Sequence, residues 1–128
     1  MRRVEQPGRK NVGRDFGWLC ESLGLAGGKD DLAAEILREI VDAERRGAPV
    51  RSITISRKAH VTRGGAVYHL NRLIESGIIV RNGRRYELRG GTLSGTMEEI
   101  EGDMLLMMRR MREIARELDE EMGVEARG

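Results

Sequence analysis

Apolar residues recur along this chain with a helical period in several stretches, and only a short segment reads as strand. Over residues 31–46, Leu32, Ile36, Leu37, Ile40 and Val41 share one face, while Glu35, Arg38, Glu39, Asp42 and Arg45 lie mostly off it. That pattern predicts an amphipathic helix with a solvated outer face. Asp30 or Asp31 can cap its start, and Gly47 with Pro49 ends it. Residues 52–59 include Ile53, Thr54 and Ile55, so β-propensity alone allows a strand. Their place just before a turn at His60 predicts a short helix instead, with Ile55 and Ala59 inward and Arg57 and Lys58 outward. Glycine commonly occupies such a turn, and His tolerates it.

Residues 62–76 predict the next helix. Thr62 can cap it, Ala66, Leu70, Leu73 and Ile74 form its buried stripe, and Gly77 stops it. Ile78-Ile79-Val80-Arg81 and Arg85-Tyr86-Glu87-Leu88 then read as two strands around Asn82-Gly83, a strong hairpin signal.

The flanks differ from this centre. Residues 1–13 are polar and basic and predict no order. In the segment 15–25, Phe16, Leu19, Cys20 and Leu23 suit one face of a short helix with Trp18 at its edge, and Gly24, Gly27 and Gly28 break the helix beyond it. A helix that short is unstable alone, so it must dock on its own domain or on a dimer mate. Beyond Gly90 and Gly91, Thr96-Met97-Glu98-Glu99 reads as a capping box. It opens a helix of about 26 residues, roughly 39 Å long. Met97, Ile100, Met104, Met107, Met111, Ile114 and Leu118 follow alternating steps of three and four, a heptad seam that Leu105, Met108 and Ala115 widen. One hairpin cannot cover such a helix, so self-pairing is the expected use of the seam, with folding back over its own core as the alternative. The chain thus divides into an N-terminal extension (1–29), a central module (30–90) and a dimerisation helix (91–128), with no internal repeat.

A length of 128 residues suits one modest core plus extensions. The single cysteine, Cys20, excludes an intramolecular disulfide and a cysteine-cluster metal site. No apolar run approaches the ~20 residues of a membrane span, and Met1-Arg2-Arg3 precedes no apolar signal core. A cytoplasmic protein without a membrane partner is expected. The net charge of +2 conceals an asymmetry. Residues 49–90 hold nine Arg or Lys and two Glu, a net +7, whereas residues 91–128 hold five Arg and ten Asp or Glu, a net −5. The positive charge sits in the central module, where it would face a polyanion. Aromatics make up only 3% of the chain, against a base-stacking single-strand binder. Catalysis finds little support. His60 and His69 have no Cys or carboxylate at ligand or triad spacing, and no phosphate-cradling glycine loop occurs. No enzyme activity, cofactor or metal is expected.

A helix, a glycine stop and a basic hairpin spell a winged helix-turn-helix, so the expected fold is mainly α with a small β-hairpin wing and a long C-terminal dimerisation helix. Such a module places its second helix in the major groove and its wing on adjacent backbone. Arg63 can reach a guanine edge or a phosphate, Val67 a thymine methyl, and His69 and Arg72 sites further along. Arg81, Arg84 and Arg85 suit backbone or minor-groove contact, and Arg57 and Lys58 a flanking phosphate. Tyr68 is expected at the edge of the core. Gly64 and Gly65 remove side chains from the first turn, so either the backbone approaches the nucleic acid closely or phosphate contact dominates.

The segment HVTRGGAVYHLNRLIESGIIVRNGRRYELR resembles the recognition helix and wing of ArsR-type regulators of bacteria and archaea. The resemblance covers residues 31–90, and the long last helix, as in ArsR- and PadR-like regulators, extends it to about residue 122. It implies Thr62 as cap, Arg63 to Val67 with His69 facing the groove, and Arg84 and Arg85 in the wing. The cysteine pair of the metal-sensing branch is absent, so metal sensing is not implied. The Gly64-Gly65 pair also departs from the pattern and weakens the implied base readout. The resulting expectation is a homodimeric transcriptional regulator that binds double-stranded DNA, its two recognition helices about one helical turn apart. An RNA- or ribosome-associated protein using the same basic face is the alternative, and a protein-interaction adaptor a third.

Overall fold

The computed structural model describes residues 11–25 and 32–125. The proposed caps Asp30 and Asp31, the breaks Gly27 and Gly28, and residues 1–10 lie outside that span. The described residues form α1 (Val12–Ser22), α2 (Leu32–Arg46), β1 (Val50–Arg51), α3 (Ser52–Ala59), α4 (Arg63–Glu75), β2 (Ile79–Asn82), β3 (Arg85–Leu88) and α5 (Leu93–Met122). The protein is mainly helical, with a small antiparallel sheet.

The apolar stripe of α2 is the centre of the core: Ile36, Leu37 and Ile40 are fully buried. Ile55 of α3 and Ala66, Leu70 and Leu73 of α4 pack with it in one cluster, together with Ile78, Ile79, Tyr86 and Leu88 of the hairpin. α3 ends at His60, whose φ of 57° places it in the left-handed region. There the Ser56 hydroxyl donates to the Val61 carbonyl at 2.6 Å and the Val61 amide to the Ser56 carbonyl at 3.1 Å. This compact turn sets α4 across α3. Thr62 caps α4 as its position predicts, accepting from the Gly65 amide at 2.9 Å. Gly77, at φ 87°, reverses the chain into β2.

The sheet has the order β1-β3-β2, so β3 is central. β1 is absent from the sequence reading. It is two residues long and pairs Val50 with Tyr86 and Arg51 with Arg85. The hairpin is correctly placed, but its loop is displaced by one residue. Asn82 pairs with Arg85, so Gly83 and Arg84 form the loop rather than Asn82 and Gly83. Gly83 supplies the positive φ of 64° that a two-residue loop needs at its first position. Glu44 of α2 fastens the sheet by accepting from the Leu88 amide at 3.0 Å.

Both flanking helices start earlier than predicted. α1 begins after Asn11, whose side chain accepts from the Arg14 amide at 3.2 Å, so residues 11–13 are ordered. Its Phe16, Leu19, Cys20 and Leu23 join the chain's own core, with Cys20 fully buried, which decides for docking within the chain. α5 is capped by Thr92, not Thr96. Thr92 accepts from the Gly95 amide at 2.9 Å, and Thr96 is wholly buried, accepting from the Gly90 amide at 2.9 Å. At 30 residues, α5 is longer than expected. Only its start touches the core, through Leu93, Met97 and Ile100. Arg89 braces the same end on Glu99 at 2.9 Å and Asp103 at 2.7 Å. From residue 101 to residue 125 every side chain is exposed, so α5 does not fold back over its own domain.

Candidate nucleic-acid interface

The outer face of α4 is set by its inner one. With Ala66, Leu70 and Leu73 buried, a period of 3.6 turns Gly64, Tyr68, Asn71 and Glu75 to the opposite side. All four are exposed, Tyr68 by 58%. Tyr68 is therefore a surface residue, not the core-edge residue expected, and Asn71 is a polar group that sequence reasoning passed over. Their shared spacing with Gly64 was the signal available. A Cβ at Gly64 would meet nothing within 4 Å, so the glycine leaves a shallow opening at the start of this face. Arg63 stands exposed beside it, Gly65 is partly covered under the Thr62 cap, and Val67 is half-buried.

The remaining residues of α4 are engaged within the fold. Arg72 donates to the Gly24 carbonyl at 3.0 Å, and its guanidinium lies 6.0 Å from the Tyr68 ring centroid. It thereby ties the segment after α1 to α4. His69 meets Tyr68 edge-on at 5.1 Å, and its buried Nδ1 has no hydrogen-bond partner among the described residues. Burial first, and the Arg72 charge second, hold its imidazole below the ordinary value of 6.5. A neutral, half-buried ring fits a spacer better than a cationic contact.

The other cations divide into held and free. Arg57 and Lys58 are exposed at the end of α3, where Lys58 lies 3.6 Å from Glu39. Arg81 donates to the Gly83 carbonyl at 2.8 Å and sits 5.8 Å from the Tyr86 ring, which holds it along the hairpin. Arg89, counted with the basic module, is spent on the α5 acids; its hydrogen bond holds the Asp103 carboxyl below its ordinary value. By contrast, Arg51, Arg57, Arg63, Arg84 and Arg85 have no carboxylate partner among the described residues. Arg51 and Arg85 are directly opposed in the β1–β3 ladder, both exposed, with Asn82 next in the same row. Like charges placed this way destabilise a sheet unless an anion meets them. The sequence alone does not single out Arg51, because the two-residue strand that brings it beside Arg85 carries no period of its own.

The second exposed surface is the far part of α5. Met104, Met107, Met111, Ile114 and Leu118 are 40–63% exposed along one seam, whereas Met97 and Ile100 pack on the core. Among the described residues, no group of three or more His, Cys, Asp or Glu is placed to hold a metal, and no helix is long and apolar enough to cross a membrane. No protein-family model matches the chain, and no curated protein matches it in sequence.

Proposed function

We propose that this chain is a winged-helix DNA-binding protein that acts as a homodimeric transcriptional regulator. α3 and α4 serve as the helix-turn-helix, and the β2–β3 hairpin serves as the wing. The observation that carries this reading is the opposed pair Arg51 and Arg85, with Arg84 at the adjoining loop and no carboxylate to neutralise any of them among the described residues. A phosphate backbone is the counter-ion that arrangement suits. α4 supplies the groove-facing surface, with Arg63, Tyr68 and Asn71 around the opening at Gly64. Its thin set of base-reading side chains favours phosphate contact and shape over a long sequence code. The exposed seam of α5 supports pairing of two copies, because an amphipathic helix gains most of its stability from packing its apolar face.

The sparse base readout also favours a second reading, in which the same basic face docks on structured RNA by shape. A competition experiment separates them. Labelled random-sequence duplex DNA is bound across a salt series and challenged with unlabelled duplex or hairpin RNA. The DNA reading predicts a steep fall with salt and stronger competition by duplex DNA. Stronger competition by RNA would replace it with the second reading, and salt-independent binding would contradict both.

A further inference from the structure

We infer that two copies of α5 pair antiparallel in a single register, with Met111 packed beside the partner's Ile114 and Arg110 facing the partner's Glu117. The inference rests on the homodimer reading above and specifies its orientation.

The charges on α5 fall in three blocks. Residues 98–103 hold four acids, residues 109–116 hold four arginines interrupted by Glu113, and residues 117–121 hold four acids. A parallel pair in register lays each block along its own copy. It also sets Arg110 opposite the partner's Ala115 and Glu117 opposite the partner's Met122, so the residues flanking the seam find no complementary charge. Reversing one helix instead lets Arg110, near the start of the arginine block, meet the partner's Glu117, at the start of the last acidic block.

The seam then selects the register. In an antiparallel pair, Met104, Met111 and Leu118 form layers with the other type of seam position, Met107 and Ile114. Placing Met111 beside the partner's Ile114 also sets Met107 beside the partner's Leu118. Arg110 then faces the partner's Glu117, twice by symmetry, while Met108 and the partner's Ala115 close the other flank. Sliding by one heptad in either direction opposes Arg110 to the partner's Arg110, or Glu117 to the partner's Glu117. Of these three registers only the middle one joins opposite charges. One heptad further would set Arg110 against the partner's Asp103, which Arg89 already holds, and would need Met97 and Ile100, which pack on the chain's own core.

Two features of the single chain agree with that choice. Met97 and Ile100 are used on the chain's own core, so the free apolar stretch runs from Met104 to Met122. Its middle falls at Glu113, and the crossing point of the chosen register falls between Arg112 and Glu113. The Arg110 guanidinium is also uncommitted. Its one carboxylate contact among the described residues is Glu113 at a long 3.4 Å, with both side chains more than half exposed.

Cysteine pairing tests the orientation. Met107→Cys and Leu118→Cys are made separately in the full chain, with buried Cys20 left in place and a mass tag on one variant. Sedimentation first reads the assembly of each variant. Equal amounts are then mixed and oxidised, and the expected main product is the mixed disulfide. Dimers that instead form same-variant disulfides would overturn the orientation and leave the homodimer standing, whereas monomers throughout would overturn the homodimer itself. A charge swap tests the register. Glu117→Arg is expected to weaken the dimer about tenfold, and adding Arg110→Glu to the same chain to restore it to within about threefold. A dimer that the second change does not rescue would overturn the register.

Discussion

Arg51 and Arg85 stand directly opposite each other across β1 and β3, both exposed and neither with a carboxylate partner among the described residues. A like-charge cross-strand pair costs stability in the free protein and is relieved when an anion binds. Replacing Arg51 with threonine, a good strand residue, should therefore raise stability by about 0.5 kcal/mol in urea unfolding. The same change should weaken duplex binding. A variant that is less stable and binds normally would show that the pair has no part in anion binding.

Gly64 makes a similar opposition within α4. Nothing lies within 4 Å of a Cβ built there, so Gly64→Ala improves helix propensity without a clash. A gain of about 0.5 kcal/mol is expected at this first-turn position. If α4 approaches nucleic acid closely through this opening, the added methyl should reduce affinity while stabilising the fold. Unchanged affinity would show that the backbone stays away from the ligand.

The base of α5 depends on the bond from the Gly90 amide to the buried Thr96 hydroxyl, 2.9 Å long. Thr96→Val keeps the shape and leaves the part-buried Gly90 amide without its acceptor, at a cost of about 1 kcal/mol. Gly90→Ala would bring a Cβ to 2.6 Å from backbone atoms of Gly95 and Thr96, which have little room to yield. Its cost should be about 2 kcal/mol. Gly102→Ala, with open space around it, is the control and should not lower the urea midpoint.

His69 should give the fold a dependence on pH. Burial and Arg72 hold it below its ordinary value, so the unfolded chain binds more protons than the folded one between the two values. Its contribution is complete above about pH 6.5 and is lost as pH falls through the folded value. Urea midpoints measured from about pH 8 to about pH 5 should fall more for the wild type than for His69→Gln. Parallel curves for the two proteins would contradict the assignment.

The features that the chain's pattern revealed, and those it hid, have physical causes. α4 and the hairpin were legible because their signals are local: the Thr62 cap, the apolar spacing of Ala66, Leu70 and Leu73, and the Gly77 stop. β1 was not, because two residues carry no period and its pairing with Arg85 and Tyr86 lies far along the chain. Thr92 and Thr96 both look like caps in sequence. The contact with Gly90, which buries Thr96 and leaves the cap to Thr92, is tertiary. The basic residues were read by charge, but charge alone could not separate Arg89 and Arg72, held inside the fold, from Arg63, Arg84 and Arg85, which have no carboxylate partner among the described residues.

The central claim is that free arginines on α4 and the hairpin bind duplex DNA. The most direct measurement is the affinity of the wild type and of Arg63→Ala/Arg84→Ala/Arg85→Ala for the same duplex over a salt series, with urea unfolding to verify that both are folded. The triple variant is expected to fold normally, to bind at least about tenfold more weakly, and to show a shallower dependence on salt. Equal affinity and equal salt slopes in two folded proteins would contradict the claim.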